Sequence, residues 1–130
     1  MALYLDASAL VKLILTEAET PALVAYLRER AIRYSAGIAY TEVLRAVRRQ
    51  RPHLVSVAMR ALGGLNLIDI DDTLLARAAT VDPPEVRSLD AIHIAAALTL
   101  EDELDAFVTY DRRMAEAAQA AGLRVEAPAP

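Results

Sequence analysis

Four acidic residues, Asp6, Glu42, Asp90 and Asp111, are far apart in the chain. Each stands where an apolar run ends or in the helical pattern that begins just after one. Carboxylates gathered in one place repel one another unless a positive charge holds them, and an all-oxygen donor set suits a hard divalent cation such as Mg²⁺ or Mn²⁺. Such an ion activates water and neutralises the charge that grows on a phosphate under attack. The four acids are therefore the candidate metal ligands and catalytic groups, and the chemistry they point to is metal-dependent hydrolysis of a phosphodiester.

Taken singly, each has a plainer reading. Asp6 lies between a strand and a helix, where Asp commonly caps the helix. Ser8 can bond Asp6 or only close a local turn. Glu42 shares a helical stripe with Arg45 and Arg49 at i+3 and i+7, which can bridge metal and phosphate or form a surface ladder of ion pairs. Asp90 opens a helix whose continuation, Ala91 to Leu98, is apolar nearly all round. An acid at the mouth of such a buried helix has little water and needs a partner. His93, one turn on, is either a further ligand or a hydrogen-bonded core residue, and an oxygen-only site favours the second. Asp111 can be one more cap, and Thr109 can hold a water or a phosphate oxygen or merely end its strand. Arg112 and Arg113 can serve phosphate or solvate a helix face. Jointly the plain readings weaken, because four acids fall on one expected edge and capping explains neither Glu42 nor the setting of Asp90.

The elements that must position these residues alternate. Ala2–Leu5 reads as a buried strand and Ala7–Leu15 as a helix. Thr20-Pro21 caps and starts a helix to about Ala31, and Arg33–Ala36 is a second strand. Beyond Gly37, Ile38–Arg51 is an amphipathic helix with a basic outer face. Pro52 starts another to about Leu62, stopped by Gly63-Gly64. Leu65–Ile70 is a strand, and Asp71 or Asp72 caps a helix to about Thr80. Asp82-Pro83-Pro84 is a loop, and Ser88 caps a helix over Leu89–Leu100. Ala106–Thr109 is a strand, Asp111 opens a helix to Ala121, Gly122 ends it, and Leu123–Val125 is a last strand. Strands alternating with helices give a parallel sheet covered on both faces, with ligands bound at the carboxyl ends of the strands. The expectation is one α/β domain over residues 1–126: a three-layer α/β/α sandwich around a mainly parallel sheet of four to five strands. A flexible tail, residues 127–130, follows.

Composition narrows the class. The chain has 130 residues, 55% of them hydrophobic, enough for a real core, and with no Trp and one Phe that core must be aliphatic. There is no Cys, which removes disulfides, zinc–thiolate sites and cysteine nucleophiles. No apolar run approaches the ~20 residues of a membrane span, and no export signal stands at the start, so a cytoplasmic location is expected. The net charge of −4 argues against a nonspecific nucleic-acid coat. Yet Arg45, Arg48, Arg49 and Arg51 form a local basic block able to meet phosphate.

The ordered motifs resemble those of PIN-domain ribonucleases, most closely the VapC toxins of prokaryotic toxin–antitoxin pairs. Tyr4-Leu5-Asp6-Ala7-Ser8-Ala9-Leu10 is similar to the family's first strand and acidic turn, and Thr41-Glu42-Val43 to its second acidic segment. Ser88-Leu89-Asp90-Ala91-Ile92-His93 is similar to its third and Val108-Thr109-Tyr110-Asp111 to its fourth, with Gly122-Leu123-Arg124-Val125 as the closing strand. The resemblance implies Mg²⁺- or Mn²⁺-dependent RNA cleavage by the quartet Asp6, Glu42, Asp90 and Asp111, supported by Ser8 and Thr109. It further implies a small cognate antitoxin and a homodimer. Arg45, Arg49 and Arg112 are the candidate contacts for RNA or antitoxin. Where some members carry a further acid after the fourth, this chain has Arg112, Arg113 and Met114, which supplies no ligand for a second metal.

Other phosphate chemistries fit poorly. A haloacid-dehalogenase-type phosphatase needs Asp at position 8, which is Ser, and a receiver domain needs a late Lys, whereas the sole Lys is Lys12. No Walker or dinucleotide glycine pattern is present. The rival from another class is an inert binding module, which a lost acid would signal; all four are present. Relief of carboxylate repulsion is expected to make Asp6→Asn and Asp90→Asn more stable without metal.

Overall fold

The computed structural model describes residues 2–30 and 32–130. Strand β1 (Ala2–Leu5) is followed by α1 (Ala7–Ile14) and α2 (Thr20–Arg28), then β2 (Ile32–Ala36) and α3 (Ile38–Gln50). A 3-10 turn (Pro52–Leu54) leads into α4 (Val55–Leu62), β3 (Asn66–Ile68), α5 (Asp72–Ala78) and α6 (Ser88–Leu98). After a second 3-10 turn come β4 (Leu104–Val108), α7 (Arg112–Ala120) and β5 (Val125–Glu126). The five strands form one sheet in the order β3-β2-β1-β4-β5, every pairing parallel.

The two-residue period of the strands splits the core. Leu3, Leu5, Ala106 and Val108 face a cluster with Leu10, Leu23, Leu27, Val43, Val47 and Leu62, so α1 to α4 cover that side. Tyr4, Ala36 and Phe107 face Leu74, Ile94, Met114 and Ala118, so α5, α6 and α7 cover the other. This is the expected three-layer α/β/α sandwich, built on aliphatic side chains apart from one aromatic stack, Tyr4 on Phe107 at 5.0 Å between centroids.

Several expected boundaries move, each for a local reason. The residue before a proline avoids helical dihedrals; Arg51 sits at φ −144°, ψ 73° and splits the chain after α3 into a 3-10 turn and α4. Thr20 is not a cap but the first residue of α2. Its hydroxyl accepts the Glu17 N–H at 2.9 Å and donates to the Lys12 carbonyl at 2.7 Å, closing the α1–α2 turn. The expected end of α2 at Ala31 lies outside the described residues; the last helical residue is Arg28. β3 is shorter than Leu65–Ile70 because its only neighbour, β2, ends at Ala36 opposite Ile68. Ser88 likewise lies inside α6, whose first bond runs from the Ala91 N–H to the Arg87 carbonyl at 2.8 Å. The last strand begins at Val125 because the Leu123 N–H turns back to the Ala118 carbonyl at 3.0 Å.

This strand order places a reversal between β1 and β4. From β1 the sheet grows one way to β2 and β3, and from β4 the other way to β5. Beyond the carboxyl ends of two strands at such a switch point lies a natural crevice for ligands.

Candidate functional site

Asp6 leaves β1 at that crevice, one residue past the last strand position, and its N–H still donates to the Val108 carbonyl of β4 at 3.2 Å. The side chain is 2% exposed. Its Oδ1 accepts from the Ser8 hydroxyl at 2.6 Å and from the Ala9 N–H at 3.1 Å, the second bond capping α1. Its Oδ2 accepts from the Thr109 hydroxyl at 2.6 Å. A carboxylate offers about four acceptor positions, so one on Oδ2 stays open. Burial lifts the Asp6 carboxyl above its ordinary range, although Ser8, Thr109, the Ala9 N–H and the charge of His93 all pull the other way.

The two hydroxyls stitch this corner together. Ser8 Oγ accepts the Tyr110 N–H at 2.9 Å, and Thr109 Oγ1 accepts the Asp111 N–H at 3.1 Å. Thr109 thus links Asp6 directly to the backbone of Asp111. Asp111 is the N-cap of α7, its Oδ1 accepting from Arg113 N–H at 2.9 Å and Met114 N–H at 3.2 Å. The capping reading and the edge position therefore hold together for both Asp6 and Asp111: capping is what aims each carboxylate at the strand ends.

Asp90 lies in the first turn of α6, half-buried, with no hydrogen bond or ion pair to another described residue. Burial and then the charge of Asp111 raise its pKa, against the opposing pull of His93, Arg87 and Arg113. A cleft of about 400 Å³ opens between the loop carrying Pro83 and Val86 and helix α7, with Asp90, Arg113 and Glu116 in its wall.

Glu42 reaches the site from α3 through His93. The imidazole is 1% exposed. Its Nδ1 lies 2.6 Å from the Tyr4 hydroxyl and its Nε2 lies 2.6 Å from Glu42 Oε1. His93 is thus the hydrogen-bonded core residue expected of an oxygen-only site. Glu42 pairs with it and not with Arg45 or Arg49, so the surface ladder does not form. Arg45, Arg49 and Arg112 are exposed and make no ion pair with a described residue. The contribution of Tyr4 was missed in the sequence. The one signal was a His on an otherwise apolar helix, since a buried imidazole must find partners, but nothing local says which.

The structure thus joins Asp6, Ser8, Thr109 and Asp111 in one bonded corner. Glu42 on α3 bonds His93 on α6, and the charge of His93 acts on both Asp6 and Asp90. Among the described residues, no three His, Asp or Glu side chains stand close enough together to share one metal ion. None of the four acids is paired with a Lys or Arg among the described residues either. Hard oxygen donors with uncompensated charge fit Mg²⁺ or Mn²⁺ in the manner usual for Mg²⁺, which takes one or two carboxylates and completes its shell with waters and substrate phosphate.

Compared with known proteins, residues 3–120 match the PIN domain. The chain belongs to the PIN-domain family. Within it, the chain is 43% identical over 127 residues to Ribonuclease VapC46 of Mycobacterium tuberculosis (strain ATCC 25618 / H37Rv), covering 98% of both. It is 41% identical over 130 residues to Ribonuclease VapC35 of the same species (strain CDC 1551 / Oshkosh), covering 97% of this chain and 96% of that one. The fold matches the crystal structure of Mycobacterium tuberculosis VapC20, titled a Sarcin-Ricin loop cleaving toxin. That match has a TM-score of 0.74 at 16% identity and covers 97% of this chain and 99% of the other. This PIN domain places its switch-point corner on Asp6 and Thr109, residues 103 apart in sequence. Among its described residues no helix is long and apolar enough to cross a membrane.

Proposed function

We propose that this PIN-domain chain is a metal-dependent endoribonuclease and the toxin of a toxin–antitoxin pair. The observation that supports the reading is Asp6 bonded through Thr109 to the backbone of Asp111 at the β1/β4 switch point, with none of the four acids paired to a Lys or Arg among the described residues. Nearly full-length similarity to chains named ribonucleases supports it.

One or two of the carboxylates of Asp6, Glu42, Asp90 and Asp111 would hold the cation, Mg²⁺ or Mn²⁺, with waters and substrate phosphate completing its shell. When bound, such an ion activates water and neutralises charge on the phosphate. The chain's own part is positioning. Ser8 and Thr109 fix both oxygens of Asp6, the α7 N-terminus fixes Asp111, and His93 fixes one oxygen of Glu42. Arg45 and Arg49 on the outer face of α3, and Arg112 at the start of α7, are free to meet RNA phosphates as charged forks. They suit the acidic segment of a small antitoxin equally well, so inhibitor and substrate would compete for the same cations. The chain would act as a homodimer.

The test is cleavage of a structured RNA in Mn²⁺ or Mg²⁺. Asp6→Asn and Asp90→Asn are expected to reduce cleavage to background with the circular dichroism spectrum unchanged. Wild-type rates in either variant would remove that acid from the catalytic site, and no cleavage by the wild type would favour the inert binding module. Arg45→Ala and Arg49→Ala are expected to weaken RNA binding. Each should flatten the dependence of log K on log salt by about 0.7–0.9 for every phosphate no longer neutralised. An unchanged salt slope would remove these arginines from the interface.

A further inference from the structure

Tyr4, His93 and Glu42 form a directional chain of hydrogen bonds that ends at the site. A carboxylate has only acceptor oxygens, so the donor in the bond between His93 and Glu42 is Nε2. With that proton on Nε2, Nδ1 faces the Tyr4 hydroxyl at 2.6 Å. The two bonds agree on one tautomer, with the proton on Nε2 facing Glu42. Oε1 is engaged at 2.6 Å, and Oε2 has no partner among the described residues. The ring is buried and stands edge-on to Tyr4 at 5.8 Å between centroids and 78° between planes. Tyr4 in turn is stacked on Phe107.

We propose that His93, locked by Tyr4, is a positioning residue that holds Glu42 in the orientation required to bind a divalent cation. The proposal rests on the metal-site reading above. Outer partners of this kind orient a metal-binding group, and losing one typically lowers metal affinity or activity about 10–100-fold.

The experiment is Mn²⁺ binding to the purified full-length chain by isothermal titration calorimetry, with metal-free melting temperature as the control for folding. The variants are His93→Leu, His93→Gln, Tyr4→Phe and Glu42→Ala. His93→Leu fills the space without a donor and is expected to lose affinity about 10–100-fold. His93→Gln keeps an amide donor near the Nε2 position and is expected to recover part of that loss. Tyr4→Phe keeps the stack on Phe107, loses the bond to Nδ1, and is expected to weaken binding less than His93→Leu. It also carries the test if His93→Leu does not fold. In a Glu42→Ala background, His93→Leu is expected to cause no further loss, because its action passes through Glu42. Wild-type affinity in folded His93→Leu or Tyr4→Phe would overturn the proposal, as would an equal loss with and without Glu42. A flat titration of the wild type would instead overturn the metal site itself, and the positioning role with it.

Discussion

Asp90 is the acid whose environment is simplest to interpret. It has no described hydrogen bond, it is half-buried, and the charge of Asp111 opposes its ionisation. Asp90→Asn is therefore expected to raise the melting temperature of the metal-free protein, by about 4 °C for each kcal/mol of repulsion relieved in a chain of this size. A lower melting temperature by differential scanning fluorimetry would contradict this. The same gain expected for Asp6→Asn does not carry over. An amide there relieves a buried charge but turns an N–H₂ toward Thr109, whose hydroxyl must reverse while still accepting the Asp111 N–H. Asp6 and Asp90 both have carboxyl pKa values raised in the fold. The folded state thus binds protons more readily than the unfolded one. The stability they contribute is fully present below the ordinary carboxylate range and is lost as pH rises through their raised values. The metal-free protein should accordingly gain stability on mild acidification from neutral pH, and the double Asn variant should lose that gain. Melting curves against pH, with and without both substitutions, check it. The acids were legible at this scale because their types and their places after apolar runs are local facts. The Tyr4–His93–Glu42 chain was not, since its partners are 89 and 51 residues apart and only tertiary packing pairs them.

The helices are set by their ends, and α7 shows both kinds. Asp111 caps its start, and Gly122, at φ +87°, follows its last turn and lets the Leu123 N–H fold back onto the Ala118 carbonyl. Nothing lies within 4 Å of where a Cβ on Gly122 would sit, so the demand is purely one of backbone conformation. Gly122→Ala is expected to cost about 1–2 kcal/mol in urea unfolding, the usual penalty for a left-handed residue with a side chain. A stability equal to wild type would mean that the chain leaves α7 by another path. Every strand and helix of the sandwich was readable from apolar runs and cap residues. Most errors were a residue or two at the ends, where a hydroxyl found a different partner, as Thr20 does, or a neighbouring strand ran out, as β2 does for β3.

At the scale of the whole molecule, alternation of strands and helices foretold a parallel sheet but not its order. The order follows from which faces α1 to α4 and α5 to α7 cover, and those choices rest on packing between distant parts of the chain. It decides where the acids meet, because only the reversal between β1 and β4 brings Asp6 beside Thr109. That adjacency has a bearing on synthesis. β1 leaves the ribosome well before one of its two neighbours, β4, which starts at Leu104. A nascent chain halted before that point holds Asp6 without Thr109, Asp90 without Asp111, and a central strand open along one side. Such a product is unable to assemble the cutting edge. The parts of the site are therefore joined only once β4 and the start of α7 have been made.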